Sequence, residues 1–551
     1  SGSEGAVSVE KSPVPLLLIA LPVFFLFLGA NAIWDANEAF YVETPRQMAL
    51  TGDYINPSFN GLPRFNKPVL SYWMVAGLYK MFGVSVAVER VGIACGALVI
   101  MLAAFLIGRA LRSTRTGVLA ALIIATAPRV VMHSRRIFID VWVTAFMALI
   151  LACFVQALRR PEQRRRWLLL MYVAIGLGVL TKGPIALAMP VIAGAAWLLA
   201  ERRLADLRRL MIVPGAAIVA AIVVPWYAAV YAQHGWTYIT QFILGENLER
   251  FSTAMTPAGR DAWFYGPVLL TDLFPWAPLV LIPLATAWKP RAPDEPAPHA
   301  SIRRLLWIWI VTIVVFFSLS QTKEDLYILP VAPAVAALVA DLLSGAGAPR
   351  RATAGIFLAI SAVCVALAFG IGSLFRGGIY AVQEAVPAAV VLGVTGLAAF
   401  ALWALGRRPA AVAALAAGFI AFNYLFVSRI LPDVERFKPV PPLVRTLTAR
   451  AAPGARVASL SMSLPSLTFY LNRPVPELSS VEEALALLDG PDESWIVTND
   501  PVWDELHART AAACVADRHP LFVFDTAKVT DLARGTPPPD ALLVTNRCGV
   551  R

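Results

Sequence analysis

The feature that most limits what this chain can fold into is a series of apolar runs, the first of which, Pro13 to Ala30, carries no ionisable side chain. A helix needs about 20 mostly apolar residues to cross a bilayer. Thirteen such segments can be read, near 14–33, 89–108, 116–131, 137–158, 167–182, 184–200, 210–232, 264–287, 305–320, 327–343, 353–375, 384–405 and 409–428. The fifth and sixth are separated at Lys182-Gly183-Pro184, where a charge meets two helix breakers. Only 15% of the residues are charged and 58% are hydrophobic, whereas a soluble domain is about a quarter charged. The chain is therefore expected to be an α-helical polytopic membrane protein. Its net charge of +11 is assigned to membrane orientation and not to nucleic acid.

The arginines support that assignment. Clusters at Arg109/Arg112/Arg115, Arg159 to Arg166, Arg202 to Arg209, Lys289 to Arg304, Arg350/Arg351 and Arg407/Arg408 follow the even-numbered segments. Basic loops stay on the cytoplasmic side. The N-terminus is expected in the cytoplasm, and the first segment, which lacks a small-residue cleavage site, is expected to remain as an anchor. The loop after it, residues 34–88, and the tail after Ile430 then lie outside. The tail, residues 433–551, regains polar positions. It reads as a small α/β domain, with strands in "ARVASLS", "ESWIVTND" and "HPLFVFD", and helices in "SSVEEALALLD" and "DPVWDELHART". Ser480 and Glu483 form a capping-box pattern. Cys95, Cys153 and Cys364 fall in apolar runs and read as small buried hydrophobes, while Cys514 and Cys548 share the tail, where a bond is permitted if the tail is external.

The outward loops hold ionisable residues that orientation does not require. These are Asp35, Glu38, Arg46, Arg64 and Lys67 in the first, His133, Arg135, Arg136 and Asp140 in the second, and Lys182 in the third. Glu246, Glu249, Arg250 and Arg260 follow in the fourth, and Lys323, Glu324 and Asp325 in the fifth. Cations outside run against the orientation rule and point to an anionic partner. Carboxylates at the lip of a helix bundle are functional candidates by default. Acids that activate, beside Arg and Lys that hold phosphate, suit glycosyl or phosphoryl transfer. Each has a plainer reading. Asp35 with Glu38 fits a helix cap, Arg136 with Asp140 an ion pair four residues apart, and Lys182 a snorkelling helix end.

The stretch "WDANEAFYVETPRQMALTGDYINPSFNGLPRFNKPVLSYW" resembles the first periplasmic loop of the polyprenyl-phosphate-dependent glycosyltransferases of the GT-C fold. Its nearest likeness is to the lipid A aminoarabinose transferase branch, with the protein O-mannosyltransferases more distant. Glu38, Tyr41, Glu43, Arg46 and Met48 match an E-x-x-Y-x-E-x-x-R-x-M pattern, and Phe65, Lys67, Pro68, Tyr72 and Trp73 an F-x-K-P-x-x-x-Y-W pattern. "RRIFIDVWVTAF", "GLGVLTKGPIALAMP", "FILGENLERF", "FYGPVLLTDLFPW" and "KEDLYILPVAPAVAAL" continue the match in order.

The resemblance implies about thirteen transmembrane helices, residues 1–432, and a small C-terminal periplasmic α/β domain, residues 433–551. It implies transfer of a sugar from an undecaprenyl (polyprenyl) phosphate donor to a glycolipid acceptor such as lipid A, at the periplasmic face of a bacterial inner membrane. The partners are that donor, the acceptor and the surrounding membrane lipids. Asp35, Glu38 and Asp140 would be catalytic. Arg64, Lys67, Lys182, Arg250 and Tyr327 would hold the donor phosphate, and Tyr41, Arg136 and Lys323 the substrate. The usual acidic pair is here Asn37-Glu38, with Asp35 nearby. Asn247 and Asn66 stand where the branch carries a histidine near a metal and a glutamate. No metal ligand or cofactor is assigned, a divalent metal being the one candidate the resemblance offers. Two other readings share the charge pattern: a protein O-mannosyltransferase, and a transporter or flippase of lipid-linked sugars, which would place ionisable residues at the bilayer midplane.

Overall fold

The computed structural model describes residues 12–35, 37–253, 260–286, 297–345, 349–522 and 534–548, without the side chains of Asn247, Leu248, Arg250, Thr286, Ala297 and Pro298. Each of the thirteen expected segments contains helix. Among the described residues, eight helices are long and apolar enough to cross a membrane. Tyr265–Asp272 and Ala277–Ala285, bent by 112°, form a further pair that passes together. Pro275 sits in the break, where a ring cannot continue the helical hydrogen bonds. The first segment is shorter than expected. Its helical part ends at Phe24, and the chain then turns through Phe27 at φ 54°.

Burial ranks these helices. Ile139–Arg159 and Asp325–Ser344 are enclosed along 83% of their apolar windows, and Ile212–His234 along only 11%. Asp140, at the start of the first, is 15% exposed at its side chain. Val86–Leu111 and Thr114–Thr126 pack closely, since a Cβ on Gly117 would lie 2.6 Å from the Phe105 carbonyl oxygen. Small residues let membrane helices approach where no water drives them together.

The first loop folds into two helices, Asn37–Thr51 and Leu70–Phe82, joined through a hairpin of β1 (Ser58–Phe59) and β2 (Leu62–Pro63). Asn60 and Gly61 turn it at φ 51° and 77°, the left-handed pair that a two-residue hairpin favours. The hairpin closes with Arg64 N–H donating to the Pro57 carbonyl at 2.7 Å. Arg64 and Lys67 are thereby fixed in place.

The tail holds a sheet of β3 (Arg456–Leu460), β4 (Glu477–Leu478), β5 (Ser494–Asn499), β6 (Cys514–Pro520) and β7 (Asp540–Thr545), in the order β4-β3-β5-β7-β6. β3 runs parallel to β4 and β5, and β7 antiparallel to β5 and β6. Side chains alternate across the pleat. Trp495, Val497, Ala541 and Leu543 meet Val440–Arg450 and Ser466–Leu471 on one face. Ile496, Leu542 and Val544 meet Val481–Leu488 and Asp500–Arg509 on the other. Cys514 and Cys548 are disulfide-bonded, 5.8 Å apart at Cα. The strand expected in "HPLFVFD" lies earlier in the chain. β6 stops at Pro520, and Phe522 leaves the sheet to pack on Tyr380, ring centroids 4.8 Å apart. Residues 523–525 of that stretch lie outside the described residues.

The sheet domain docks on the first loop. The Tyr470 hydroxyl accepts from Ile33 N–H at 2.9 Å, and Asn60 donates to the Val475 carbonyl at 2.9 Å. Glu435 accepts from Asn31 and from Ala32 N–H at 3.0 and 2.7 Å.

Candidate functional site

Asp140 lies in the first turn of Ile139–Arg159, and Lys182 in the last turn of Arg164–Lys182. The two helices are packed neighbours joined by a short connection, so the start of one lies beside the end of the other. Residues 42 positions apart thus form an ion pair. Each charge also sits at the helix end whose dipole favours it. Gly183, at φ 88°, lets the chain turn away directly after Lys182, and a Cβ there would strike the Phe242 ring at 2.5 Å. The Lys182 ammonium lies 4.7 Å from the centre of the Tyr327 ring. The pair is largely but not fully enclosed, with Lys182 and Asp140 17% and 15% exposed.

The first loop contributes a second group. Lys67 Nζ is 2.5 Å from Glu246 Oε2, and Asn66 Nδ2 donates to Glu246 Oε1 at 2.9 Å. Arg64 stacks over Phe40 at 3.9 Å, and Tyr41 stacks on Tyr72 with centroids 5.9 Å apart. Burial holds the Tyr41 hydroxyl well above its ordinary pKa; Tyr72, Asp140 and Glu246 push the same way, and Arg64 opposes them. Asp140 of the first group and Glu246 and Arg64 of the second thus all act on the Tyr41 hydroxyl. A cleft of about 660 Å³ is lined by Phe65, Asn66, Thr240, Leu244, Glu246 and Glu249. Arg250 begins a short helix next to this cleft, and its side chain lies outside the described residues.

The other expected acids have different surroundings. Glu38 is fully buried. Its carboxylate accepts from Trp34 N–H at 3.0 Å, Arg90 Nη2 at 3.3 Å and Arg136 Nε at 3.3 Å. Arg136 also lies over Phe138 at 4.5 Å. The Arg136–Asp140 pairing that the sequence offers is thus replaced by two others, Arg136 with Glu38 and Lys182 with Asp140. Lys323 is buried and donates to the Ser320 carbonyl at 2.6 Å, so its ammonium is turned toward its own loop.

Asp35 caps a helix, but not its own. Its carboxylate accepts from Ser466 N–H at 2.9 Å and from the Ser466 hydroxyl, at the start of Ser466–Leu471 in the tail. Burial raises the Asp35 pKa to about 6 against these lowering hydrogen bonds. A raised carboxyl pKa means that folding favours the protonated form, so its contribution to stability grows as pH falls from about 6 toward 4. Asp35→Asn mimics that form. Its melting temperature is expected to exceed that of the wild-type chain at pH 7 and to converge with it near pH 4, whereas Asp35→Ala loses about 1 kcal/mol as a missing cap. An Asn-to-wild-type difference that stays constant from pH 4 to 7.5 would count against this.

Some residues of the site escaped the sequence reading. Arg90 donates to the carbonyls of Leu28, Asn31 and Ala32 as well as to Glu38. Arg129 joins Asp272, at 2.9 Å, to Asp325. The signal for Arg90 was present, since an ionisable residue at the edge of an apolar span needs a partner. Ser466 and Asn472, which accepts from Arg46, gave none. A divalent metal fits poorly here. Both Glu246 oxygens already face nitrogen donors, one of them cationic. Among the described residues no group of three or more His, Cys, Asp or Glu is placed to hold an ion.

The chain is similar to several known proteins. A family profile described as dolichyl-phosphate-mannose-protein mannosyltransferase matches residues 14–239. The undecaprenyl phosphate-α-4-amino-4-deoxy-L-arabinose arabinosyl transferase of Pseudomonas aeruginosa (strain UCBPP-PA14) is 34% identical over 57% of this chain and 56% of its own length. The protein of the same name from Erwinia tasmaniensis is 30% identical over 69% of this chain and 68% of its own. The chain thus spans little more than half the length of the first of these relatives. The crystal structure of ArnT from Cupriavidus metallidurans bound to undecaprenyl phosphate superposes with a TM-score of 0.79, over 98% of both chains at 20% identity.

Proposed function

The chain belongs to the aminoarabinose-transferase-like family of GT-C membrane glycosyltransferases, and on that premise we propose that it moves a sugar from a polyprenyl-phosphate carrier to an acceptor at the outer face of a bacterial inner membrane. The observation that carries this reading is the Asp140–Lys182 pair beside the Tyr327 ring, together with the Lys67–Glu246 pair and Arg64 of the first loop.

In the transfer, the bond between the anomeric carbon and the phosphate oxygen breaks, and its electron pair leaves on the polyprenyl phosphate. Lys182 and Lys67 each sit on a carboxylate. The donor phosphate exchanges for those carboxylates on the two ammonium groups, with Arg64 and Arg250 adding charge. Lys acts here as a point charge and guanidinium as a fork. The exchange frees Asp140. If the acceptor is a hydroxyl, Asp140 takes its proton as the new carbon–oxygen bond forms; if it is a phosphate, as on lipid A, Asp140 instead stabilises positive charge growing on the sugar ring. Glu38 and Asp35 act as positioning residues, one holding Arg136 and the other the tail.

This reading places residues 1–432 in the membrane and 433–551 as an external domain, the N-terminus being cytoplasmic. The Cys514–Cys548 bond supports it, since disulfides persist in oxidising compartments. Lipid A is the acceptor the likeness favours. Protein hydroxyls are the second reading, favoured by the mannosyltransferase profile over residues 14–239. The purified chain, given undecaprenyl phosphate-linked aminoarabinose, should modify lipid A and leave Ser/Thr peptides unchanged, as read by mass spectrometry. Donor binding without transfer to either acceptor would overturn the proposal. Lys67→Met should weaken donor affinity by roughly ten- to a hundred-fold, the worth of one charge-assisted bond to phosphate. Unchanged affinity for undecaprenyl phosphate would remove the first loop from the donor site.

A further inference from the structure

A second cleft, of about 690 Å³, lies where the tail meets the membrane helices. Its walls come from three places. The chain leaving the first membrane segment contributes Gly29 to Ala32, the start of Val86–Leu111 contributes Ser85, Val86 and Ala87, and the tail contributes Lys438, Arg445, Tyr470 and His519. Arg436 completes the cationic side. Charge here is lopsided. The acid in the wall, Glu435, is occupied by Asn31, by Ala32 N–H and by Lys438 at 2.7 Å. His519 has Asp517 at 3.3 Å, and Arg436 reaches the backbone at Ile379 and Ala381. Arg445 is exposed, and its guanidinium has no hydrogen-bond or ion-pair partner among the described residues.

The Val86–Leu111 helix adds its own attraction. Its first amides have no helical partner, and Ser85 caps only one of them, accepting from Val88 N–H at 3.2 Å. The amides of Val86 and Ala87 thus remain at a dipole end that favours anions. The neighbouring surface identifies the ligand further. The cleft wall begins here at Ser85, directly after Met81, Phe82 and Val84 in the chain, which are 67%, 69% and 44% exposed. An exposed apolar surface of that size suits acyl chains, which favours a lipid headgroup as the source of the anion.

We propose that this cleft binds the phosphate of an anionic membrane amphiphile, at a place separate from the Lys67–Lys182 site. Free phosphate shares the chemistry but lacks the acyl chains that the apolar rim would receive. The cleft lies close to the Glu38 clamp through one ring. Lys438 lies 4.0 Å from the centre of Trp34 and Arg136 lies 5.3 Å from it, so an anion drawn to Lys438 is one side chain away from the Glu38 clamp.

The test uses the full chain in neutral detergent and three probes: dihexanoyl phosphatidic acid, dihexanoylglycerol and inorganic phosphate. Arg445→Glu is the variant, because Arg445 holds nothing in the fold. Phosphatidic acid should bind the wild-type chain, and dihexanoylglycerol should not. Arg445→Glu should weaken phosphatidic acid at least ten-fold while leaving undecaprenyl phosphate affinity and melting temperature unchanged. Equal binding of inorganic phosphate and phosphatidic acid would overturn the lipid assignment. Undiminished phosphatidic acid binding by Arg445→Glu, or a parallel loss of undecaprenyl phosphate, would overturn the separate site.

Discussion

Asp140→Asn is expected to lower turnover by roughly a hundred-fold or more, the range that a positioned carboxylate supplies in proton transfer or charge stabilisation. The amide keeps the shape of the acid and can still accept from Lys182, so the loss isolates the charge. Lys182→Met should act differently. It removes a cation from the donor phosphate, and its effect should appear mainly in donor affinity, about ten- to a hundred-fold. The split between kcat and KM distinguishes an acid that acts in the transition state from a cation that binds throughout. If the pair were only structural, the two variants would share one pattern: lowered melting temperature, with kcat and KM both near wild type. Asp140→Asn retaining turnover within about three-fold would leave the site without its base, and the transporter reading would then regain ground.

How much of this was legible depended on how far apart the partners lie in the chain and on whether a pattern marks the contact. The helices were legible because a bilayer demands long apolar runs: each of the thirteen segments contains helix, and among the described residues eight helices are long and apolar enough to cross a membrane. Lys182, followed by Gly183 and Pro184, announces its own helix end, and Asp140 sits at a helix start. Two helix ends on one side of a bundle are easily foreseen as neighbours. The cross-pairings were not. Arg136 is spaced to meet Asp140 on one helix, but the chain is not helical between them, turning through Phe138 with φ −120° and ψ 124°. That turn sends Arg136 to Glu38, 98 residues away. Asp35 reads as a cap for the helix that follows it, yet it caps one 431 residues later. Nothing local marks such a contact. Similarly β7, Asp540–Thr545, was missed, because a central strand covered on both faces lacks the alternation that identifies a strand at a surface.

Glu38→Ala should be the most damaging single substitution for the fold. The carboxylate is fully buried between Arg90, itself 2% exposed, and Arg136. Removing it leaves Arg90 charged in the interior with only three backbone carbonyls. Breaking a buried ion pair by deleting one partner costs about 3–5 kcal/mol. The neighbouring Asn37, which stands in for the family's usual first acid, is exposed and does not supply a replacement. Global unfolding of a chain this size is not two-state, so the loss is best read locally. Trp34 N–H donates to the same carboxylate, and amide exchange across residues 31–38 should accelerate more than a hundred-fold in Glu38→Ala, as an opening that much easier requires. Glu38→Gln, which keeps an acceptor for Trp34 and one arginine, should fall between the two. The competing account makes Glu38 a catalytic acid. It predicts the reverse for Glu38→Gln, with exchange and melting at wild-type levels and turnover lost. A stable, fully protected Glu38→Gln without activity would therefore move Glu38 from the scaffold into the reaction.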